Sequence, residues 1–146
     1  MGICLVVLMI VAAIAIPNLM KAKQAANEAS AYSAVKTIAR AQYNYQASTG
    51  FGRFSDLQTL GKEELLAPDL AAGNKDGYVF SSTPINVEGV RPMFDLTARP
   101  KSTGRFGTGN TSYYSNETYI VYEADGGEPP SATPQFRVPE QGRPVK

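Results

Sequence analysis

The chain contains no His and no Trp, and it has a single Cys. Without His it lacks the commonest general base and the commonest metal ligand. One Cys excludes a disulfide within these 146 residues and any cysteine metal cluster. That residue, Cys4, stands in an apolar run with no basic neighbour to stabilise a thiolate, so it reads as a small apolar side chain. An excess of charge is also missing: 14 basic and 13 acidic residues leave a net +1. Such a balance gives no specific indication of a nucleic-acid or polyanion partner. No motif sets a nucleophile, a base and oxyanion donors together. Gly50-Phe51-Gly52 and Gly107-Thr108-Gly109 are isolated glycine pairs, not phosphate loops. The expectation is one non-enzymatic domain with no cofactor.

What is present is unevenly spread. No acidic or basic residue occurs in residues 1–20, and residues 3–16 are unbroken in apolarity. A helix needs roughly 20 apolar residues to cross a bilayer. The run qualifies if Pro17 is accepted as a kink. A secretory signal peptide competes, but it would need basic residues ahead of the run and a small-residue cleavage site behind it. Residues 21–47 contain no Gly or Pro and are rich in Ala, Lys, Gln and Glu. Ala31, Ala34, Val35, Ile38, Ala41 and Tyr45 fall on one helical face, with Ser33, Lys36, Arg40 and Asn44 opposite. The sequence therefore predicts one helix of about 45 residues, roughly 70 Å long, stopping at Thr49-Gly50. One small core cannot bury such a helix.

From Phe51 the pattern changes. Ser55 is placed to cap a short helix over 56–60, and another turn or two lies over 63–72. Segments 78–82, 93–98, 111–115 and 119–123 read as strands, the last two as a hairpin. Pro84, Pro92 and Pro100 bound them. The expected fold is α+β: the long helix packed on a small antiparallel sheet of about four strands. Its divisions are a membrane or filament-core helix (1–20), an amphipathic continuation (21–49), a globular head (50–124) and a Pro/Gly-rich tail (125–146). The tail reads as extended or poorly ordered, partly laid over the sheet.

The run Ala12-Ala13-Ile14-Ala15-Ile16-Pro17-Asn18-Leu19-Met20-Lys21-Ala22-Lys23, followed by Ala25-Ala26-Asn27-Glu28-Ala29-Ser30-Ala31, resembles the N-terminal helix of type IV pilins. The likeness continues more loosely through Asp56-Leu57-Gln58-Thr59-Leu60-Gly61, through Leu70-Ala71-Ala72-Gly73 and Gly77-Tyr78-Val79-Phe80, and through Ser112-Tyr113-Tyr114-Ser115, which look like disulfide-free bacterial pilin heads. The tail shares none of it. Two departures stand out. Family precursors carry a basic leader, a Gly at the cleavage point and an early Glu. Aligned on Pro17, that Glu would fall just before Met1, so the expectation is a natural start further upstream. Met9 stands where many members have a helix-weakening Gly, which leaves Pro17 as the only breaker.

The resemblance implies a subunit with two lives. Its first helix sits in the bacterial inner membrane, then packs against copies of itself in a surface filament. Leu5, Val6, Leu8, Met9, Ala12, Ala13, Ile14 and Ile16 would pack the filament core, with the kink at Pro17. Ala31, Ala34, Val35, Ile38 and Tyr45 would join helix to head. Implied partners are a helical homo-polymer, the membrane and the pilus assembly machinery, serving attachment, motility or uptake. The alternatives are a type II secretion pseudopilin and a monomeric membrane-anchored binding domain. The head would lie outside, although the positive-inside tendency read on Lys21 and Lys23 alone favours the reverse.

Three sharper readings have plainer rivals. Glu117, Glu123 and Asp125 could supply calcium oxygens, or be solvated hairpin-end residues. Tyr32, Tyr43, Tyr45, Phe51 and Phe54 could relay electrons, or simply pack helix against head. Asn110 and Asn116 begin glycosylation sequons, a pattern that also arises by chance.

Overall fold

The computed structural model describes residues 2–145, with residues 2–17 given only as backbone of the first helix. That helix, α1, spans Gly2–Ala47. Its stop comes slightly before the expected one. Gly50 N–H donates to Tyr45 O at 2.8 Å, and the chain reverses through Phe51 and Gly52, both with positive φ. A Cβ at Gly50 would stand 2.6 Å from both Arg53 O and the Tyr45 ring, so only glycine fits that reversal.

Two short helices follow, α2 over Leu57–Lys62 and α3 over Pro68–Ala71. The cap of α2 is Asp56, not Ser55: Asp56 Oδ1 accepts from Thr59 N–H at 2.9 Å. Ser55 could not serve, because it is buried with its backbone bonded to Gln42 of α1. The backbone bond from Thr59 holds the Asp56 carboxyl below its ordinary range. Pro68 opens α3 at the first turn, where no donor is needed.

The sheet has six strands rather than about four: β1 (Asn74–Lys75), β2 (Tyr78–Ile85), β3 (Met93–Pro100), β4 (Thr111–Asn116), β5 (Tyr122–Asp125) and β6 (Arg143–Pro144). They run in sequence order, every neighbour antiparallel. The two unforeseen strands are the edges, each of two residues. No periodicity can be read in two residues. β1 exists because Asp76 and Gly77 both take positive φ and turn the chain tightly into β2. β6 exists because the tail returns to pair with β5.

Alternation along the strands directs one set of side chains at α1: Tyr78 and Phe80 from β2, Phe94, Leu96 and Ala98 from β3, and Tyr113 from β4. They meet Ala31, Ala34, Val35, Ile38 and Ala41, with Leu57, Leu60, Leu66 and Leu70 closing one end. Phe54 meets Phe94 edge-on, ring centres 4.7 Å apart.

The opposite face of β4 is buried too. Ser112, Tyr114 and Asn116 are inaccessible because the segment after β5 crosses them as a strap. Pro130 is fully buried, and Arg137 fastens the strap. Its guanidinium donates to Glu117 Oε1 at 2.6 Å, and to Phe94 O and Asp95 Oδ1 at 2.9 Å. Asn116 Nδ2 donates to Arg137 O at 2.7 Å, and the Tyr114 hydroxyl donates to Asp95. Burial pulls the guanidinium toward losing its proton, but Glu117, Tyr114 and Asp95 outweigh that and raise it. The tail is thus laid over the sheet, as one part of the expectation had it, and tied down there rather than poorly ordered.

Candidate assembly surface

Burial divides α1. Asn18, Leu19, Lys21, Ala22 and Lys23 are exposed; coverage by the head begins at Gln24. From there Gln24, Ala31, Val35, Ile38 and Gln42 repeat at helical spacing and are all buried. Ala31, Ala34, Val35 and Ile38 are brought together in the core, and Tyr45 packs at its edge, half-buried. Leu5, Val6, Leu8, Met9, Ala12, Ala13, Ile14, Ile16 and Pro17 lie outside the residues whose side chains are described. Among the residues described with their side chains no helix is long and apolar enough to cross a membrane; the unbroken apolar run 3–16 lies outside them.

Two glutamines fix α1 to the head. Gln42 Nε2 donates to Ser55 O and Ser82 Oγ, while its Oε1 accepts from Ser55 N–H at 3.0 Å. Both ends of this buried amide are therefore satisfied, as burial demands. Gln24 Nε2 donates to Gly104 O and Gly107 O, each at 2.8 Å. Asn27 donates to Thr108 O at 2.9 Å, and Glu28 accepts from Asn110 N–H at 2.8 Å. These bonds hold the loop 101–110 on the helix. One usable sign of the pair is local: Gln24 and Gln42 are polar residues standing on an apolar stripe.

The outward side of α1 carries Lys36, Arg40 and Tyr43. With Ala39, Tyr119 and Val121 they line a shallow groove of about 250 Å3. Tyr43 and Tyr119 meet edge-on at 6.0 Å, and Lys36 Nζ lies 5.3 Å from the Tyr32 ring centre. Tyr32, Tyr113 and Tyr78 form an inner row, 6.2 and 6.3 Å between ring centres. Burial and then Glu28 raise the Tyr113 hydroxyl to about 12.

The acidic residues considered for calcium are divided among arginines. Glu117 pairs with Arg137; Glu123 and Asp125 pair with Arg143. Among the described residues no three potential ligands gather to hold a metal ion. Asn116, the second sequon asparagine, is fully buried and cannot receive a glycan in this fold. Asn110 is exposed, but its side chain closes the 101–110 loop by accepting from Gly104 N–H at 2.8 Å. Comparison with family models, with curated proteins and with solved structures gives no match.

Proposed function

We propose that this chain is a structural subunit of a type IV pilus-like surface filament, polymerising through its N-terminal helix. The observation that carries the reading is the division of α1 at Gln24. The head covers the helix from that residue onward, while the sequence before it continues into fourteen unbroken apolar positions, 3–16. Such a segment calls for a partner outside the head. Lipid is one, and the same segment of neighbouring copies is another. At about 25 cal/mol per Å2, many hundreds of Å2 of apolar surface supply on the order of 10 kcal/mol before entropic costs. Head-to-tail repetition without closure yields a fibre. Ala12, Ala13 and Ala15 allow close helix approach. The two glutamine clamps support the same role, since a filament needs heads held at a fixed angle to the core.

The test is electron microscopy of fibres sheared from the cells that make this protein, with mass spectrometry of the N-terminal peptide. Long fibres containing the chain are expected. Protein confined to the inner membrane, with no fibres, would overturn the pilin reading in favour of a pseudopilin or an anchored binding domain.

A further inference from the structure

The loop 101–110, between β3 and β4, is held at one level of α1. Gln24, Asn27 and Glu28 bind its backbone, and Thr108 N–H donates to Ser102 O across its neck. Its tip is fixed about one helical turn from Met20. Phe106, at the tip, is 75% exposed, with the Arg105 guanidinium 5.8 Å from its ring centre. Arg105 shares a cleft of about 400 Å3 with Met20, Lys21, Gln24 and Asn110. Lys21 and Lys23 are exposed, and Leu19 is 66% exposed. Lys21 thus lies on the cleft side of α1 beside Arg105, while Lys23 and Leu19 lie on the far side of the helix at the same level. The cations and bare apolar side chains therefore ring one level, where the helix sequence changes from apolar to polar, rather than forming one patch. The only carboxylate in residues 18–47 is Glu28, already committed to the Asn110 amide.

We propose that the 103–107 loop tip docks on a surface of anionic phospholipid. Phe106 enters the interfacial layer, while Arg105, Lys21 and Lys23 pair with lipid phosphates. The inference rests on the reading that residues 1–20 insert into a bilayer. Aromatic rings favour the interfacial layer, and basic groups beside a membrane span gather acidic lipid. The arginine fork suits a phosphate, and lysine stems can lie along the apolar boundary while their ammonium groups reach out. Because the glutamine clamp ties the loop to α1, docking the tip sets the height and rotation of the head over the membrane.

Two absences in the sequence make the test clean. With no Trp, Phe106→Trp introduces the only indole; with one Cys, a polarity-sensitive dye on Cys4 reports insertion independently. The full chain is reconstituted in vesicles of phosphatidylcholine alone and of phosphatidylcholine with phosphatidylglycerol. Expected is a Cys4 dye in lipid in both. The indole emission shifts to the blue and is quenched by brominated acyl chains only with the anionic lipid. Both effects are lost at about 1 M salt, where the Debye length falls to about 3 Å, and in Arg105→Glu. Arg105→Gln guards against misfolding and should retain part of the shift. An indole that stays water-like while the Cys4 dye is in lipid would overturn the inference and leave the membrane reading intact. An equal shift in both lipids, or one that follows protein density rather than lipid charge, would overturn it in favour of plain apolar contact or a second copy. A Cys4 dye in water would sink the membrane reading and the docking together.

Discussion

The two faces of the sheet are covered in opposite ways. Helix α1 lies on one face through apolar packing, with Ile38, Val35, Phe94 and Leu96 fully buried. The strap crosses the other through Arg137, Asn116, Tyr114 and two carboxylates. The first cover is held by area removed from water, which is large and tolerant of small displacement. The second depends on a connected polar network, in which each missing partner strands another. The helix side should therefore carry most of the stability, and the strap should be the part that can be released alone.

Ile38→Ala tests the helix side and should have the largest effect. A fully buried Ile truncated to Ala costs about 2–5 kcal/mol, read from the midpoint of chemical denaturation. A loss well under 1 kcal/mol would mean that α1 is not the main cover. Arg137→Ala comes next. It strands Glu117 and Asp95, whose side chains remain 11% and 30% exposed, so partial hydration softens the cost. We expect a loss of about 1–3 kcal/mol, together with rapid proteolysis between residues 126 and 142 while the rest of the head resists. Cleavage spread over the whole head would show that the strap is not a separable unit.

Gln42→Leu is subtler. It leaves the Ser55 N–H without its partner and weakens the hold on Ser55 O, at about 1–2 kcal/mol. Hydrogen exchange should accelerate locally at Ser55 and Phe54; unchanged exchange would remove the clamp from the account of how helix meets head. The smallest effect at neutral pH is that of the buried tyrosines. Tyr113 is raised from 10.0 to about 12, chiefly by burial. The folded state thus keeps a proton that the unfolded state releases, so this contribution is complete below pH 10 and is lost as pH rises toward about 12. Tyr78 and Tyr114 shift the same way, again chiefly through burial. Alkaline unfolding should begin above pH 10, and Tyr113→Phe should delay it. A flat stability profile across that window would show these rings to be better hydrated than the fold implies.

Much of the helix side was legible beforehand. Its stripe repeats at helical period, and the inward residues of β2 and β3 alternate, so burial leaves a periodic trace in the sequence. The strap left none. Arg137 lies 42 residues from Asp95 and 20 from Glu117, and nothing local marks any of the three as partners. The 101–110 loop is similar: Gln24 and Gly104 are 80 residues apart. Ser55 was a reasonable cap by residue type, but its backbone was claimed by Gln42, a competitor distant in sequence.

By itself the sequence determined the long helix, its apolar and amphipathic stretches, the absence of His chemistry and the rough places of the four longer strands, although the last lies at 122–125 rather than 119–123 and β2 runs on through Pro84 instead of being bounded by it. These follow from hydrophobic period, propensity and composition, all of which act over a few residues. Tertiary structure alone decided the two edge strands, the arginine-fastened strap, the two glutamine clamps and the level at which the 101–110 loop meets α1. Each depends on polar groups that find partners only after distant segments are brought together, and the need to satisfy buried hydrogen-bonding groups then selects which pairs form.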